Sequence, residues 1–216
     1  MRARLSHWAI VGLVLASVLG ACSSRTARQA DVRPRDVSNL CTIFQDNPHW
    51  AEAALAAHQR WNTPIDVKMA IIWRESTFRP AVRPVRYVMG VPAGYASSAF
   101  GFAQAIDGTW AWYQENTGNH RADRTNFADA IDFVGWYMTM TARLNGLSFY
   151  DARNQYLAYH EGHTGFDRGS WRAKGFVQRA ASQVAEQAAL YRAQAAYCPP
   201  DGRTRRADGG AQPPRG

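Results

Sequence analysis

The chain has 216 residues, 46% of them hydrophobic, and a formal net charge of +8. The positive excess lies at the ends: residues 22–36 and 199–216 each carry four arginines against two aspartates, while residues 37–198 carry 15 Lys and Arg against 13 Asp and Glu. That near-neutral middle excludes a basic nucleic-acid-binding face, and it is long enough for one domain with a real core.

Residues 1–21 begin with two arginines, continue through the apolar run AIVGLVLASVLG and end on small residues. This is the pattern of a secretory signal, too short for a stable membrane span. Leu19-Gly20-Ala21-Cys22 resembles a bacterial lipobox, which implies a lipid on Cys22 and membrane attachment through it. Ser23 after the cysteine is similar to the sorting type that leaves such proteins on the periplasmic face of the outer membrane, where a cell has two membranes. An ordinary leader with a coincidental cysteine is the alternative. Residues 22–40 read as a flexible tether, and residues 199–216 as a disordered Pro/Gly/Arg tail with too little apolar content to fold. With Cys22 lipidated, Cys41 and Cys198 remain as an even pair bracketing the domain, before its first helix and after its last. An oxidising compartment then predicts a disulfide between them; two buried thiols are the alternative.

Between those cysteines the predicted elements are helical. Trp50, Ala53, Ala54, Ala57 and Trp61 recur at helical spacing. Thr63-Pro64-Ile65-Asp66 reads as a helix start, with Thr63 as N-cap, Pro64 first and an acid three after the cap. That helix runs to about Glu75, with Ile65, Met69 and Ile72 on one face, and Pro80 keeps it from going much further. Residues 81–99 read as irregular. Asp107 or Thr109 caps a short aromatic helix ended by Gly118, and Asn126 opens a longer one closed by Asn145-Gly146. FYDARNQYLAYH is a further amphipathic helix, and Ser170 precedes an Ala-rich helix reaching Tyr197. No segment alternates at period two, so the fold class is all-α, in one domain over 41–198.

Glu75 ends an apolar helix behind Ile72 and Trp73. Burial and the helix's exposed carbonyls both disfavour a carboxylate there. An acid placed there is kept protonated near neutral pH, as a general acid must be. Glu75-Ser76-Thr77-Phe78-Arg79-Pro80 resembles the E-S-x-F-x-P block of the soluble lytic transglycosylase and goose-type lysozyme superfamily. Gly101-Phe102-Ala103-Gln104, followed by Asp107-Gly108-Thr109-Trp110, is similar to its G-L-M-Q…P-x-T block, and Ala158-Tyr159-His160-Glu161-Gly162 to its A-Y-N-x-G block. The three stand in family order, and together they resemble a small lipoprotein branch. The interval from Glu75 to Gly101 is longer than in the simplest members, and AYH replaces AYN.

The resemblance implies a lysozyme-like fold and a peptidoglycan glycan strand as substrate. It also implies Glu75 as sole acid and base, with a 1,6-anhydromuramyl product. By the same matching Tyr159 hydrogen-bonds Glu75, Ser76 supports the acid or the glycan, and Gln104 with the backbone near Phe102 and Ala103 binds the acetamido region. Glu161, Asp107 and Asp132 are the other carboxylates left as candidate aids. Trp110, Trp112 and Tyr113 either stack on sugars or belong to the core. A muramidase using water and a non-catalytic peptidoglycan-binding lipoprotein are the competing functions. No cofactor or metal is expected: in His160-Glu161-Gly162-His163 the second histidine falls at i+3 beyond a glycine, where a helical zinc site needs i+4. The serines of YASSAFG lack the G-x-S-x-G elbow of a serine hydrolase.

Overall fold

Apolar helix faces must be buried against one another, and in the computed structural model, which describes residues 30–200, eight α-helices do this around a nearly enclosed third helix. In chain order they are α1 (Leu40–Asp46), α2 (Pro48–Trp61), α3 (Ile65–Ser76), α4 (Asp107–Thr117), α5 (Phe127–Asn145), α6 (Ala152–Glu161), α7 (His163–Asp167) and α8 (Gly175–Ala195). A hairpin of β1 (Val85–Val88) and β2 (Val91–Tyr95) lies between α3 and α4. The all-α expectation holds, with the lysozyme-like arrangement that the motif order implies. The leader, Cys22 and the tail from residue 201 lie outside the described residues.

Helix α3 buries Val67, Met69, Ala70, Ile71 and Ile72 on all sides, not on one face as its periodicity suggested. A helix that is apolar all round belongs in a core, and α3 packs against α8, α5 and α2. Its start differs from expectation. Pro64 is the N-cap and no side chain caps it. Thr63 is fully buried, and a Cβ on Gly135 of α5 would come within 3.2 Å of its hydroxyl. Asp66 does not reach back; it takes the guanidinium of Arg192 on α8, at 2.7 Å from Nε and 2.6 Å from Nη2. Tertiary pairing overrides the local capping pattern here.

The C-terminal end of α3 also has a different cause from the one expected. Thr77 and Phe78 both take left-handed backbone conformations (φ 53° and 56°), which stop the helix before Pro80 can. Such conformations cost on the order of 1–3 kcal/mol each away from glycine. The offset is the Phe78 ring, 1% exposed, which packs with Trp50 and Phe127. Trp50 stacks on Phe127 at 4.3 Å, and Phe102 meets both edge-on. The phenylalanines of the first two motif blocks therefore share one cluster, and that cluster ties the end of α3 to the 101–105 loop.

The hairpin corrects the reading of 81–99 as irregular. Met89 and Gly90 both have positive φ, as in a type I′ turn, between the paired residues Val88 and Val91. Neither face of the hairpin is buried, so no period-two alternation was there to be read. Three boundaries also move. Cys41 lies inside α1 rather than before the first helix. Ile106 is the N-cap of α4, with Asp107 its first residue. Ser170 opens a 3-10 turn (Ser170–Ala173), and α8 begins at Gly175 and ends at Ala195. Asn126 opens α5, and Gly118 and Gly146 end α4 and α5, as expected.

Part of the expected tether, from Asp31 on, is held against the helices. Val32 and Asn47 exchange two hydrogen bonds of 2.8 Å, Arg35 pairs with Asp46, and Asp31 accepts from Trp50 Nε1 at 2.7 Å. The 37–38 backbone accepts from Tyr191 and Gln187 of α8.

Lys68 is a further departure from simple burial. It is fully buried, its Nζ has no hydrogen-bond partner among the described residues, and burial pulls its pKa down to about 7 against the opposing charges of Asp132 and Asp66. The folded pKa is depressed, so the charged form is penalised in the native state at and below about pH 7, and the penalty fades as pH rises toward the ordinary value of 10.5. Both aspartates keep other partners, Arg60, Trp61 and Tyr113 for Asp132 and Arg192 for Asp66. A Lys68→Met variant is expected to gain about 1–4 kcal/mol at pH 6. Urea denaturation at pH 6 and again near pH 9.5 checks it, and an equal gain at both pH values would contradict the electrostatic cause.

Candidate active site

A cleft of about 430 Å³ opens at the end of α3. Glu75 lines it from α3, Phe133 and Tyr137 from α5, Tyr159, His160 and Glu161 from α6, Gln104 and Ala105 from the loop before α4, and Pro84, Ser97 and Ala99 from the two roots of the hairpin. Glu75 is partly exposed, opening on the cleft while protein surrounds the rest of it. Burial pushes its pKa up to about 7; a hydrogen bond from Tyr156 and the charge of Arg74 oppose that shift without cancelling it. The tyrosines beside it stay protonated: burial and the Glu75 charge raise both Tyr156 and Tyr159 far above the ordinary value.

Tyr159 is in the cleft, but its hydroxyl donates to the Ala103 carbonyl at 2.5 Å, not to Glu75. The hydroxyl on Glu75 is that of Tyr156, which was not among the expected site residues. A signal existed: Tyr156 stands three before Tyr159, a spacing that brings both to one side of a helix. Tyr159 thereby ties α6 to the 101–105 loop. Gln104 lines the cleft with a left-handed backbone (φ 50°), and its Nε2 donates to the carbonyls of Val82 (2.9 Å) and Gly101 (2.8 Å). Gly101 is required as glycine: φ is 81°, and a Cβ would sit 2.1 Å from the Arg124 carbonyl oxygen.

Ser76, Phe102 and Ala103 do not line the cleft. Ser76 is 1% exposed, with its hydroxyl on the Ile72 carbonyl at 3.3 Å. Phe102 is in the core cluster, and Ala103 reaches the site through the carbonyl that Tyr159 occupies. Trp110 and Tyr113 are core, packed on Phe133. Trp112 is more exposed but lies against Trp136 and His163 outside the cleft lining.

The other carboxylate in the lining, Glu161, is already engaged. Lys174 Nζ donates to both its oxygens at 3.0 and 2.8 Å, Ser170 donates to one of them, and His160 Nδ1 lies 3.1 Å away. Burial works against its charge, yet the hydrogen bonds from Lys174, Ser170 and His160 hold its pKa below the ordinary range. Asp107 pairs with Arg124 at 2.8 Å, and Asp132 takes Trp61, Tyr113 and Arg60 away from the cleft. His163 stacks on Tyr137 at 4.5 Å, with Nε2 3.1 Å from Thr141 Oγ1. Among the described residues no three His, Cys, Asp or Glu side chains converge as metal ligands would.

A search of curated proteins finds none that matches the chain. Residues 10–198 match the family model described as the transglycosylase SLT domain. The chain belongs to that family, with the lytic transglycosylase type of action on peptidoglycan that the family carries.

Proposed function

We propose that the chain cleaves the glycosidic bond between N-acetylmuramic acid and N-acetylglucosamine, with Glu75 as the single acid and base. Glu75, protonated below about pH 7, gives its proton to the bridging oxygen as the C1–O bond breaks, and the N-acetylglucosamine end leaves as an alcohol. The 2-acetamido oxygen of the muramyl unit closes on C1 and carries the positive charge. The Glu75 carboxylate then takes the proton of the muramyl C6 hydroxyl, O6 displaces the acetamido oxygen from C1, and the acid is restored with a 1,6-anhydro ring on the product. No water enters the products and no second carboxylate is needed.

The supporting observation is the division of labour in the cleft. Glu75 makes no ion pair among the described residues and keeps its proton up to about pH 7, while Glu161 is committed to Lys174 and Ser170. A water-using muramidase calls for a free second carboxylate to activate the water, and the lining residues offer none. Residues 1–21 are read as a leader and Cys22 as the attachment point of a lipid anchor, which would keep the enzyme on an envelope membrane beside its substrate. In a cell with two membranes that is the periplasmic face of the outer one.

Digestion of purified sacculi by the full chain, with mass spectrometry of the released muropeptides, tests this. Anhydro ends, lighter by one water than reducing ends, are expected. Reducing ends would replace the proposal with hydrolysis, and binding without release would leave a wall-binding protein. Weighing the intact chain from its native membrane checks the anchor. A mature N-terminus at Cys22 carrying acyl chains is expected, and a start elsewhere would remove the anchor from the reading.

A further inference from the structure

We propose that the hairpin and the arginines at its root form a second binding surface, continuous with the cleft, for the carboxylate-bearing peptide stems of the glycan strand. The proposal rests on the reading of the cleft as a glycan site. Residues 79–99 contain Arg79, Arg83 and Arg86 and no acid. All three are exposed, and none makes an ion pair among the described residues. Arg83 is held by its guanidinium face, 4.3 Å from the Phe100 ring and 5.1 Å from Tyr95, so its donors remain available to a ligand. Arg86 gives one bond to the Ala93 carbonyl. Arg124, also over Phe100, is neutralised by Asp107 and does not belong to the set.

The strands add a cluster of large side chains left in water. Tyr87 is 63% exposed, Val91 64% and Met89 at the turn 99%. A two-stranded ribbon has little stability of its own. This one is fixed at its base, where Ala96 N donates to the Pro84 carbonyl and Gly101 N to that of Val82. Pro84, Ser97 and Ala99 of the same base line the cleft, so a strand threaded past Glu75 leaves along the hairpin. Three guanidinium groups without an ion-pair partner, Arg79 and Arg86 each giving Nε to a backbone carbonyl, match discrete carboxylates, which they hold with paired hydrogen bonds. The apolar side chains match the aliphatic parts of a peptide stem. A bilayer would suit the same composition, but the shared root with the cleft favours the substrate.

The test measures binding in a Glu75→Gln background, so that strands stay uncut, to intact sacculi and to sacculi whose carboxylates have been amidated with methylamine. Intact sacculi are expected to bind about tenfold more tightly. An Arg83→Gln/Arg86→Gln pair should reduce that ratio to near one, and an Arg83→Lys/Arg86→Lys pair should restore part of it, with unchanged thermal melts for both. An unaltered ratio, or an equal loss on both kinds of sacculi, overturns the proposal. So does loss of binding to phosphatidylethanolamine–phosphatidylglycerol vesicles with sacculus binding intact, which would make the hairpin a lipid contact. Cleavage by the parent chain is scored separately: an enzyme that cuts but shows no ratio sinks the hairpin alone, and one that binds with the ratio but never cuts sinks the functional reading alone.

Discussion

A Glu75→Gln variant is expected to lose about 10³–10⁴-fold in turnover on peptidoglycan while remaining folded. General acid–base catalysis contributes about 10²–10⁴ in rate, and here one carboxyl serves both proton transfers. Glutamine copies the shape of the neutral acid, so the Tyr156 hydroxyl keeps an acceptor. The stability change has the opposite sign to the activity change. The folded pKa of Glu75 is raised from 4.5 to about 7 by burial, so the native state loses stability as pH rises through that interval. The glutamine variant avoids that loss and is expected to be more stable than the parent at pH 8, by up to about 3 kcal/mol. A variant that is inactive because it unfolds would contradict the assignment. In the parent, kcat/KM should fall above about pH 7 as the acid ionises. Tyr156→Phe removes a hydrogen bond that favours the carboxylate, so the falling limb should move to higher pH. A limb that stays in place would assign Tyr156 to packing alone.

The sequence carried the site further than the details of its support. Glu75 could be read because its peculiarity is local: an acid at the end of an apolar helix. Tyr159 and Gln104 could be read as belonging to the site by motif, but their hydrogen bonds could not. Tyr159 reaches Ala103 across 56 positions of sequence, and Gln104 reaches Val82 across 22. Phe78 and Phe102 stood in the motifs, yet their joint role with Trp50 and Phe127 exists only in three dimensions. The hairpin went unseen because periodicity reports burial, and no face of it is buried. Thr63 failed as a cap because its hydroxyl is enclosed between α2 and α5 while Asp66 is drawn to Arg192 of α8. The hairpin apart, a partner distant in sequence redirected what the local chemistry suggested.

Helix α8 is the most consequential of those distant partners, and the second large effect concerns what holds it. It packs against α3, which carries Glu75, and against α6, which carries Tyr156 and Tyr159. Its own C-terminal end is fixed to the start of the fold. Cys198 is disulfide-bonded to Cys41 across a sequence separation of 157, and Gln194 accepts from the Leu40 backbone N–H at 2.8 Å. Closing a loop of that length removes chain entropy from the unfolded state worth about 5 kcal/mol in the simplest treatment. Whole domains are stable by only about 5–15 kcal/mol. A Cys41→Ser/Cys198→Ser chain is therefore expected to lose about 3–5 kcal/mol, lowering Tm by roughly 10–15 °C for a domain of this size. The cleft residues lie elsewhere in the fold, and the α3–α8 contact keeps its Asp66–Arg192 pair. At low temperature, with the variant still folded, kcat should stay within about threefold of the parent. Thermal denaturation beside a 10 °C sacculus digest measures the two quantities separately. A full loss of activity in a folded variant would mean that the crosslink sets the geometry around Glu75; a lowered Tm with turnover retained would mean that it acts through the unfolded chain.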